Sequence, residues 1–460
     1  MTRTVADLYF RPRSIVVLGA STDPDKLSGR PLAYLKKFGY EGDLYAVNPR
    51  RSEVQGVKTF ASVADVPGPV DLAIVVVPAP AVVEAVRACA DAGIGAVTVF
   101  ASGFAEIGEK GMPEQQEITD IAARAGMRVV GPNCLGTFAL ADRAFATFST
   151  AFDDESERPV SPIALVTQSG AVGTFTYSTM NSLGLGVTYF GNTGNEADVT
   201  VPEVLSALVD ADDVQVLLGH IEGVKDMAAL RRLARSAKAK DKPLVLLKSG
   251  RSETGARAVA AHTGSIAGDD AEFEAASVAE GAIRVRSMEE LSDTALAFAD
   301  GRRAVGSRLT IVTLSGGAGA LAADRAVELG LKVDTWASDA DRESLAGELP
   351  YFGAVKNPID MTGAMINDLS LLERALRVVN QNDDTDAVLV VLGNADKGSG
   401  EIVETLTKAY RSTEKPFLVA WTGGSGRPRL ELLKAGVPTY SEPDRAVQCM
   451  SHVVTHSRRG

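Results

Sequence analysis

Val166-Thr-Gln-Ser-Gly-Ala-Val-Gly173 decides how this chain reads, because it returns as Val312-Thr-Leu-Ser-Gly-Gly-Ala-Gly319. In each copy an apolar run meets a Ser-Gly turn that opens a helix-patterned segment. Downstream, Leu183-Gly-Leu-Gly-Val187 is echoed by Leu329-Gly-Leu-Lys-Val333 at the same offset. Two matched anchors in one register predict two copies of a strand, glycine turn, helix and strand unit, hence two flavodoxin-like domains.

Before the first copy lie further short apolar runs: Ser14–Gly19, Asp43–Val47, Asp71–Val77, Ala96–Phe100 and Met127–Val130. They are continuous rather than alternating and are bounded by turn residues. Strands covered on both faces look like this, so parallel sheets with crossover helices are expected throughout. Length supports the same partition, since 460 residues suggest about three domains. The expected bounds are 1–150, 160–302 and 306–460. The acidic, Pro-containing Asp153-Asp-Glu-Ser-Glu-Arg-Pro159 reads as a linker, and Ala299–Gly306 as a second junction.

Composition narrows the function. Apolar residues make up 45% and charged residues 23%, and the formal charge is −12. That acidity argues against a nucleic-acid or anionic-membrane role, since both want a basic face. Three cysteines, Cys89, Cys134 and Cys449, form neither a disulfide framework nor a zinc spacing, so no metal site and a reducing cytoplasm are expected. The start lacks the apolar core of a signal peptide, and no apolar run could span a bilayer.

The first block carries a nucleotide-type site. Strand Ile15–Leu18 runs into Gly19-Ala20-Ser21, and a helix is expected from about Pro31. A glycine turn there lets backbone approach a phosphate, although the full G-x-G-x-x-G spacing is absent. The second strand ends at Val47-Asn48-Pro49-Arg50-Arg51, where an NAD enzyme would place Asp or Glu. Two arginines suit a phosphorylated ribose instead, which both NADPH and coenzyme A carry. Later strand ends supply Val77-Pro78-Ala79-Pro80, Ala101-Ser102-Gly103-Phe104 and Gly131-Pro132-Asn133-Cys134.

This series of strand ends resembles the CoA-binding domain of succinyl-CoA synthetase and its ADP-forming acyl-CoA synthetase relatives. The resemblance implies an N-terminal Rossmann-like CoA-binding domain followed by two flavodoxin-like domains of the succinyl-CoA synthetase type. It also implies CoA contacts at Gly19, Ser21, Asn48, Arg50, Pro78, Ser102 and Asn133.

The repeated turns expose helix N-terminal N–H groups, which favour an anion by roughly 0.3–1 kcal/mol. In the family such paired helices cradle a phosphohistidine. The resemblance therefore assigns Ser169 and Gly170 to the first helix, and Ser315, Gly316 and Gly317 to the second.

Four histidines occur. His452 and His456, in the charged tail, read as surface residues. His262 lies in Ala258-Val-Ala-Ala-His262-Thr-Gly-Ser-Ile-Ala-Gly268, whose small residues read as a mobile loop. An imidazole nitrogen is a nucleophile near neutral pH, which suits phosphate relay. His-Thr-Gly-Ser-Ile-Ala-Gly resembles the phosphohistidine loop of the same synthetases and is the most specific motif present. Such a histidine needs an orienting carboxylate, and the resemblance gives that role to Glu222. Asp360, in Asn357-Pro-Ile-Asp-Met-Thr-Gly363, keeps an open role.

No G-x-x-x-x-G-K-[ST] loop and no ATP-grasp-like stretch is present. The resemblance thus implies the α subunit of a two-subunit acid–thiol ligase. ATP or ADP and Mg²⁺ would bind mainly to an ATP-grasp β subunit, in an α2β2 heterotetramer. The implied reaction converts acyl-CoA, ADP and phosphate to carboxylate, CoA and ATP through an acyl phosphate and phospho-His262. No charged constellation near Asn133 or Gln168 demands a dicarboxylate, so a small monocarboxylic acid is preferred. Two other readings compete: an NADP-dependent oxidoreductase, and a non-catalytic acyl-CoA-binding regulatory protein.

Overall fold

The computed structural model describes residues 3–153, 159–263, 269–351 and 353–459. Most of the expected linker at 154–158 lies outside the described residues. The contacts divide the chain into two units, one of residues 1–181 and 185–291, the other of 182–184 and 292–460.

The first unit holds two seven-stranded sheets. The first contains β1 (Ser14–Leu18), β2 (Asp43–Val47), β3 (Glu53–Val54), β4 (Val57–Phe60), β5 (Leu72–Val75), β6 (Ala96–Val99) and β7 (Arg128–Val130), in the order β3-β4-β2-β1-β5-β6-β7. The second contains β8 (Gly136–Ala139), β9 (Ala144–Thr147), β10 (Ile163–Thr167), β11 (Tyr189–Asn192), β12 (Val216–Ile221), β13 (Leu244–Lys248) and β14 (Ile283–Val285), in the order β14-β13-β12-β10-β11-β8-β9. Its core strands are parallel, but β8 pairs antiparallel with both β9 and β11. Each of β1, β5, β6, β10, β12 and β13 is buried along its whole length, which is why these strands read as unbroken apolar runs.

The second unit has one five-stranded parallel sheet, from β15 (Leu309–Thr313), β16 (Ile359–Asp360), β17 (Ala387–Gly393), β18 (Phe417–Thr422) and β19 (Thr439–Tyr440), in the order β16-β15-β17-β18-β19. The α/β class and the dominance of parallel pairing agree with the sequence expectation. The repeat is visible as well: helices Gly170–Ser182 and Gly316–Glu328 follow β10 and β15 at matching offsets.

One feature of strand order places the ligand-binding edges. In every sheet the leading parallel strand is interior, because β1 lies between β2 and β5, β10 between β11 and β12, and β15 between β16 and β17. The chain leaves that strand to one side and later returns on the other. A crevice opens at the carboxyl end of such a strand. All three glycine turns, at Gly19, Ser169-Gly170 and Ser315-Gly316, begin there.

Two sequence expectations fail. Residues 253–263 form an α-helix rather than a loop, since alanine is the strongest helix former and Ala256, Ala258, Ala260 and Ala261 outweigh the single glycine. The tail is also a helix, Pro443–Arg459, with Val447, Met450, Val453 and Val454 on its buried face. His456 is buried there and packs edge-on against Phe298. His452 Nδ1 hydrogen-bonds Thr294 Oγ1 at 3.0 Å and its Nε2 meets Gln448 at 3.0 Å, so neither tail histidine is a surface group. The charges Asp444, Arg458 and Arg459 lie near the helix ends and mask the apolar stripe of an amphipathic helix.

Burial lowers the His452 pKa to about 4. An imidazole near 6.5 in the unfolded chain therefore binds protons that the folded one rejects. The stability it supports is present above about 6.5 and declines as pH falls toward 4. Between pH 7 and pH 5 the expected loss is roughly 1–2 kcal/mol. Both tryptophans, Trp336 and Trp421, sit in this unit's core, so urea midpoints followed by tryptophan fluorescence report it. His452→Gln should show a smaller drop over that pH range than the wild type.

Candidate functional site

The candidate CoA contacts converge on one edge. Gly19 follows β1, Asn48 and Arg50 follow β2, Pro78 follows β5, Ser102 follows β6 and Asn133 follows β7, so all six strand-end positions lie at the carboxyl edge of the first sheet. Gly19 has φ +88°, and a Cβ there would meet Val77 Cγ1 at 2.8 Å, so backbone alone fits the turn. Ser21 Oγ accepts from the Asp23 N–H at 3.1 Å and tightens the same loop. Asn48 Nδ2 donates to Ala20 O at 3.2 Å, and its Oδ1 accepts from the Arg50 N–H at 3.0 Å. One asparagine thereby ties the ends of β1 and β2 together. Arg50 and Arg51 are exposed, with no ion-pair partner among the described residues.

A loop from the second sheet closes on this edge. After β11, residues 193–199 run along the end of β7. The Asn195, Ala197 and Val199 N–H groups donate to the carbonyls of Pro132, Gly131 and Val129 at 2.9–3.0 Å. Gly194 makes this approach possible: at φ +58°, a Cβ would sit 2.4 Å from both the Pro132 and Asn133 carbonyl oxygens. Arg128 grips Asp198 with two bonds of 2.9 Å and adds Glu203 at 3.0 Å. Asn133 Nδ2 reaches Asn195 Oδ1 at 3.3 Å, so the last candidate CoA contact touches the loop that follows β11.

Within that sheet, Glu222 follows β12 and the Ser169-Gly170 turn follows β10, on neighbouring strands. Gln168 locks them in place. Its Oε1 accepts the Glu222 N–H at 2.6 Å and the Gly223 N–H at 3.0 Å, while its Nε2 donates to Glu196 Oε2 at 3.1 Å. Gly173 lets helix Gly170–Ser182 lie close to the sheet, since a Cβ there would strike Thr167 Oγ1 at 2.4 Å. The first N–H groups of that helix have no intrahelical acceptor and face the crevice end of the strand.

Sequence reasoning missed Glu196. It is buried with φ +53°, accepts from Thr193 Oγ1 at 2.9 Å and the Val201 N–H at 2.8 Å, and lies near the Lys225 ammonium. Burial pushes its carboxyl up to about 7; these hydrogen bonds and Lys225 pull down, and Glu222 pushes up. Lys225 itself is held by the Asn195 and Glu196 carbonyls. Lys248, at the end of β13, was missed too. Its ammonium donates to the carbonyls of Glu222 at 2.8 Å and Ser249, and burial lowers its pKa to about 8. Lys248 carried a faint signal as a charge closing an apolar strand, whereas Glu196, four residues past β11, carried none.

His262 falls in the last turn of helix Glu253–Thr263, which packs against the turn Ala105–Ile107 that follows β6. Its side chain and residues 264–268 lie outside the described residues, so its spacing from Glu222 is not described. In the second unit, Ser315 caps its helix by accepting from the Ala318 N–H at 3.4 Å, and Gly317 has open space beside it. Asp360 lies by this turn, its Oδ2 3.0 Å from where a Gly316 Cβ would stand. Among the described residues no cluster of His, Cys, Asp and Glu is arranged to hold a metal ion, and no helix is long and apolar enough to cross a membrane.

Comparison with known proteins gives a consistent pattern. Residues 13–139 match the CoA binding domain model, and residues 160–298 match that of the succinyl-CoA ligase like flavodoxin domain. The α subunit of ADP-forming acetate–CoA ligase I from Pyrococcus furiosus is 32% identical, over 98% of each chain. The isozyme II α subunit from the same organism is 35% identical over 95% of each. Among solved structures, the dinucleotide forming acetyl-coenzyme A synthetase 1 of Candidatus Korarchaeum cryptofilum, in complex with phosphate and ADP, superposes with a TM-score of 0.89. It is 29% identical, and the match covers 100% of this chain and 98% of that one.

Because folding raises the Glu196 pKa above its usual 4.5, its stabilising effect is present at low pH and lost as pH rises through about 7. From pH 5 to pH 8 the loss amounts to roughly 2–3 kcal/mol. Glu196→Gln should abolish that component. Hydrogen exchange of peptides spanning 189–204 checks it: protection should fall with pH in the wild type and stay flatter in the variant.

Proposed function

The chain belongs to the family of ADP-forming acyl-CoA ligase α subunits, and from that premise we propose that it interconverts acyl-CoA, phosphate and ADP with a carboxylate, CoA and ATP by way of phospho-His262. The observation that carries this reading is the Gln168 clamp, which holds the Glu222 backbone beside the Ser169-Gly170 turn. A carboxylate to orient an imidazole and a helix terminus to receive a phosphate then share one edge.

The chemistry runs in three displacements. A phosphate oxygen attacks the thioester carbonyl, the C–S bond breaks, and CoA leaves with the proton. An imidazole nitrogen of His262 then attacks phosphorus, the P–O bond to the acyl group breaks, and the carboxylate departs. Finally an ADP oxygen takes the phosphoryl group, the P–N bond breaks, and neutral histidine returns. Negative charge builds on phosphoryl oxygens in the last two steps, where fixed N–H dipoles at Ser169 and Gly170 stabilise it without reorganising. Ser315, Gly316 and Gly317 open a helix of the second unit with N–H dipoles of the same kind. Glu222 would accept from the imidazole N–H, leaving the other nitrogen as nucleophile.

CoA would lie along the carboxyl edge of the first sheet, held by Gly19, Ser21, Asn48, Arg50, Pro78, Ser102 and Asn133. Arg50 suits its ribose phosphate. The relatives are ligases rather than oxidoreductases, so the NADP reading is not favoured. The partner would be an ATP-grasp β subunit in an α2β2 assembly, with Mg²⁺ neutralising nucleotide phosphates there, in the cytoplasm. A small monocarboxylate is the preferred acyl group. Glu106, Glu196 and Glu222 surround the edge near Asn133, and the Lys225 ammonium is committed to backbone carbonyls. A second substrate carboxylate would meet repulsion.

Labelling tests the reading directly. The chain incubated with ³²P-acetyl phosphate should gain acid-labile, base-stable label. His262→Asn should abolish it, and Glu222→Gln should lower its rate about 10²-fold, the usual scale for a lost orienting group. Label that persists in His262→Asn would refute the assignment.

A further inference from the structure

Beside this edge, on the β13 and β14 side, a cavity of about 720 Å³ adjoins the Glu222 site, with Val172 of helix Gly170–Ser182 in its lining, and none of the three displacements above uses it. Lys248, Arg251 and Arg286 lie on its wall, His220 and Ser249 also line it, and the first turn of helix Glu253–Thr263 borders it. Its charge is unexpected on a chain whose formal charge is −12. The Arg251 and Arg286 side chains are exposed and have no ion-pair or hydrogen-bond partner among the described residues. The Lys248 ammonium is buried and spends two of its three donors on backbone carbonyls.

The carboxylates nearby offset these cations only in part, since Asp270 attracts Arg251 and Lys248 as well as Arg284. Asp270, on the wall, is ion-paired with Arg284. Glu290 accepts from the Arg286 backbone N–H at 2.8 Å and leaves the guanidinium free. Glu253 is paired with Arg257 at 2.8 Å.

A second, independent feature is His220. It is fully buried, its Nε2 is 2.8 Å from Ser249 Oγ, and its Nδ1 has no partner. A neutral imidazole has one donor and one acceptor nitrogen. Nδ1 lacks a partner in either tautomer, and in the one where the Ser249 hydroxyl donates to Nε2 it is a buried donor without an acceptor. Unsatisfied buried polar groups are rare and ask for an explanation. An anion in the adjoining cavity would supply one.

We propose that this cavity is a phosphate-binding site, set apart from the CoA edge and reaching the first turn of helix Gly170–Ser182 at Val172, with Lys248, Arg251 and Arg286 as its cationic wall. Two guanidinium forks and one ammonium match the several oxygens of a phosphate dianion better than a single carboxylate. The volume admits either free phosphate or the phosphate tail of a nucleotide.

The test is a footprint on the full-length chain. Phenylglyoxal modifies unpaired arginines, and mass spectrometry reads each one separately. Inorganic phosphate should slow modification of Arg251 and Arg286 while leaving the exposed Arg124 unchanged. A parallel arm with ADP separates the sources, since protection by ADP alone would assign the site to nucleotide phosphates. Calorimetry of phosphate binding to the Arg251→Gln, Arg286→Gln double variant should show at least about tenfold weaker affinity at this site, the scale of two lost charge-assisted bonds. No protection by either ligand, or affinity unchanged in the double variant, overturns the proposal. Neither readout depends on His262, so the labelling result and this one stand or fall separately.

Discussion

The carboxamide of Gln168 is the contact on which the site depends. It ends the central strand of the second sheet, accepts two N–H groups from the end of the next strand, and donates to a buried glutamate in the loop after β11. Three strand ends are fixed relative to one another by one side chain. A shorter residue would leave the Glu222 and Gly223 N–H groups and a Glu196 oxygen unsatisfied at once, each costing about 1–3 kcal/mol. The same loop then bonds along β7 of the first sheet, so the carboxyl edges of both sheets are held together by backbone contacts that only glycine at 194 permits. That arrangement gives a molecule bound on the first sheet a route to groups on the second.

Strand order explains why function gathers at these edges. Each sheet reverses its direction of growth at its leading strand, and each reversal is followed by a glycine turn into a helix. The three turns differ in detail. Gly19 needs its positive φ, Gly170 leaves no room for a side chain against Leu135, and Gly317 has open space beside it. One topological device has been adapted to three local surroundings, which fits a common ancestry for the repeated units.

Much of this was legible in the sequence because fully buried parallel strands leave unbroken apolar runs. The five runs of the first block coincide with β1, β2, β5, β6 and β7 to within a few residues. The repeat was legible because close packing fixes Gly173 and Gly319, and a positive φ fixes Gly184 and Gly330. Other features were hidden for physical reasons. Glu196 looks like an ordinary turn residue in Asn-Thr-Gly-Asn-Glu-Ala-Asp, and only the fold reveals that this turn is buried. Gln168 acts on residues more than fifty positions away, which local pattern cannot register. The helix at 253–263 was read as a loop because small residues serve both mobility and helix formation. The tail histidines were misplaced because terminal charges masked an apolar stripe with helical spacing.

The central claim is that one ligand bridges the two edges, its nucleotide on the first sheet and its reactive end at the second. A crystal structure of the full chain with CoA bound tests this most directly. The account predicts the ribose phosphate at Arg50 and the pantetheine thiol directed past Asn133 toward Gln168 and Glu222. CoA found elsewhere on the chain, or a thiol pointing away from the second sheet, would contradict it.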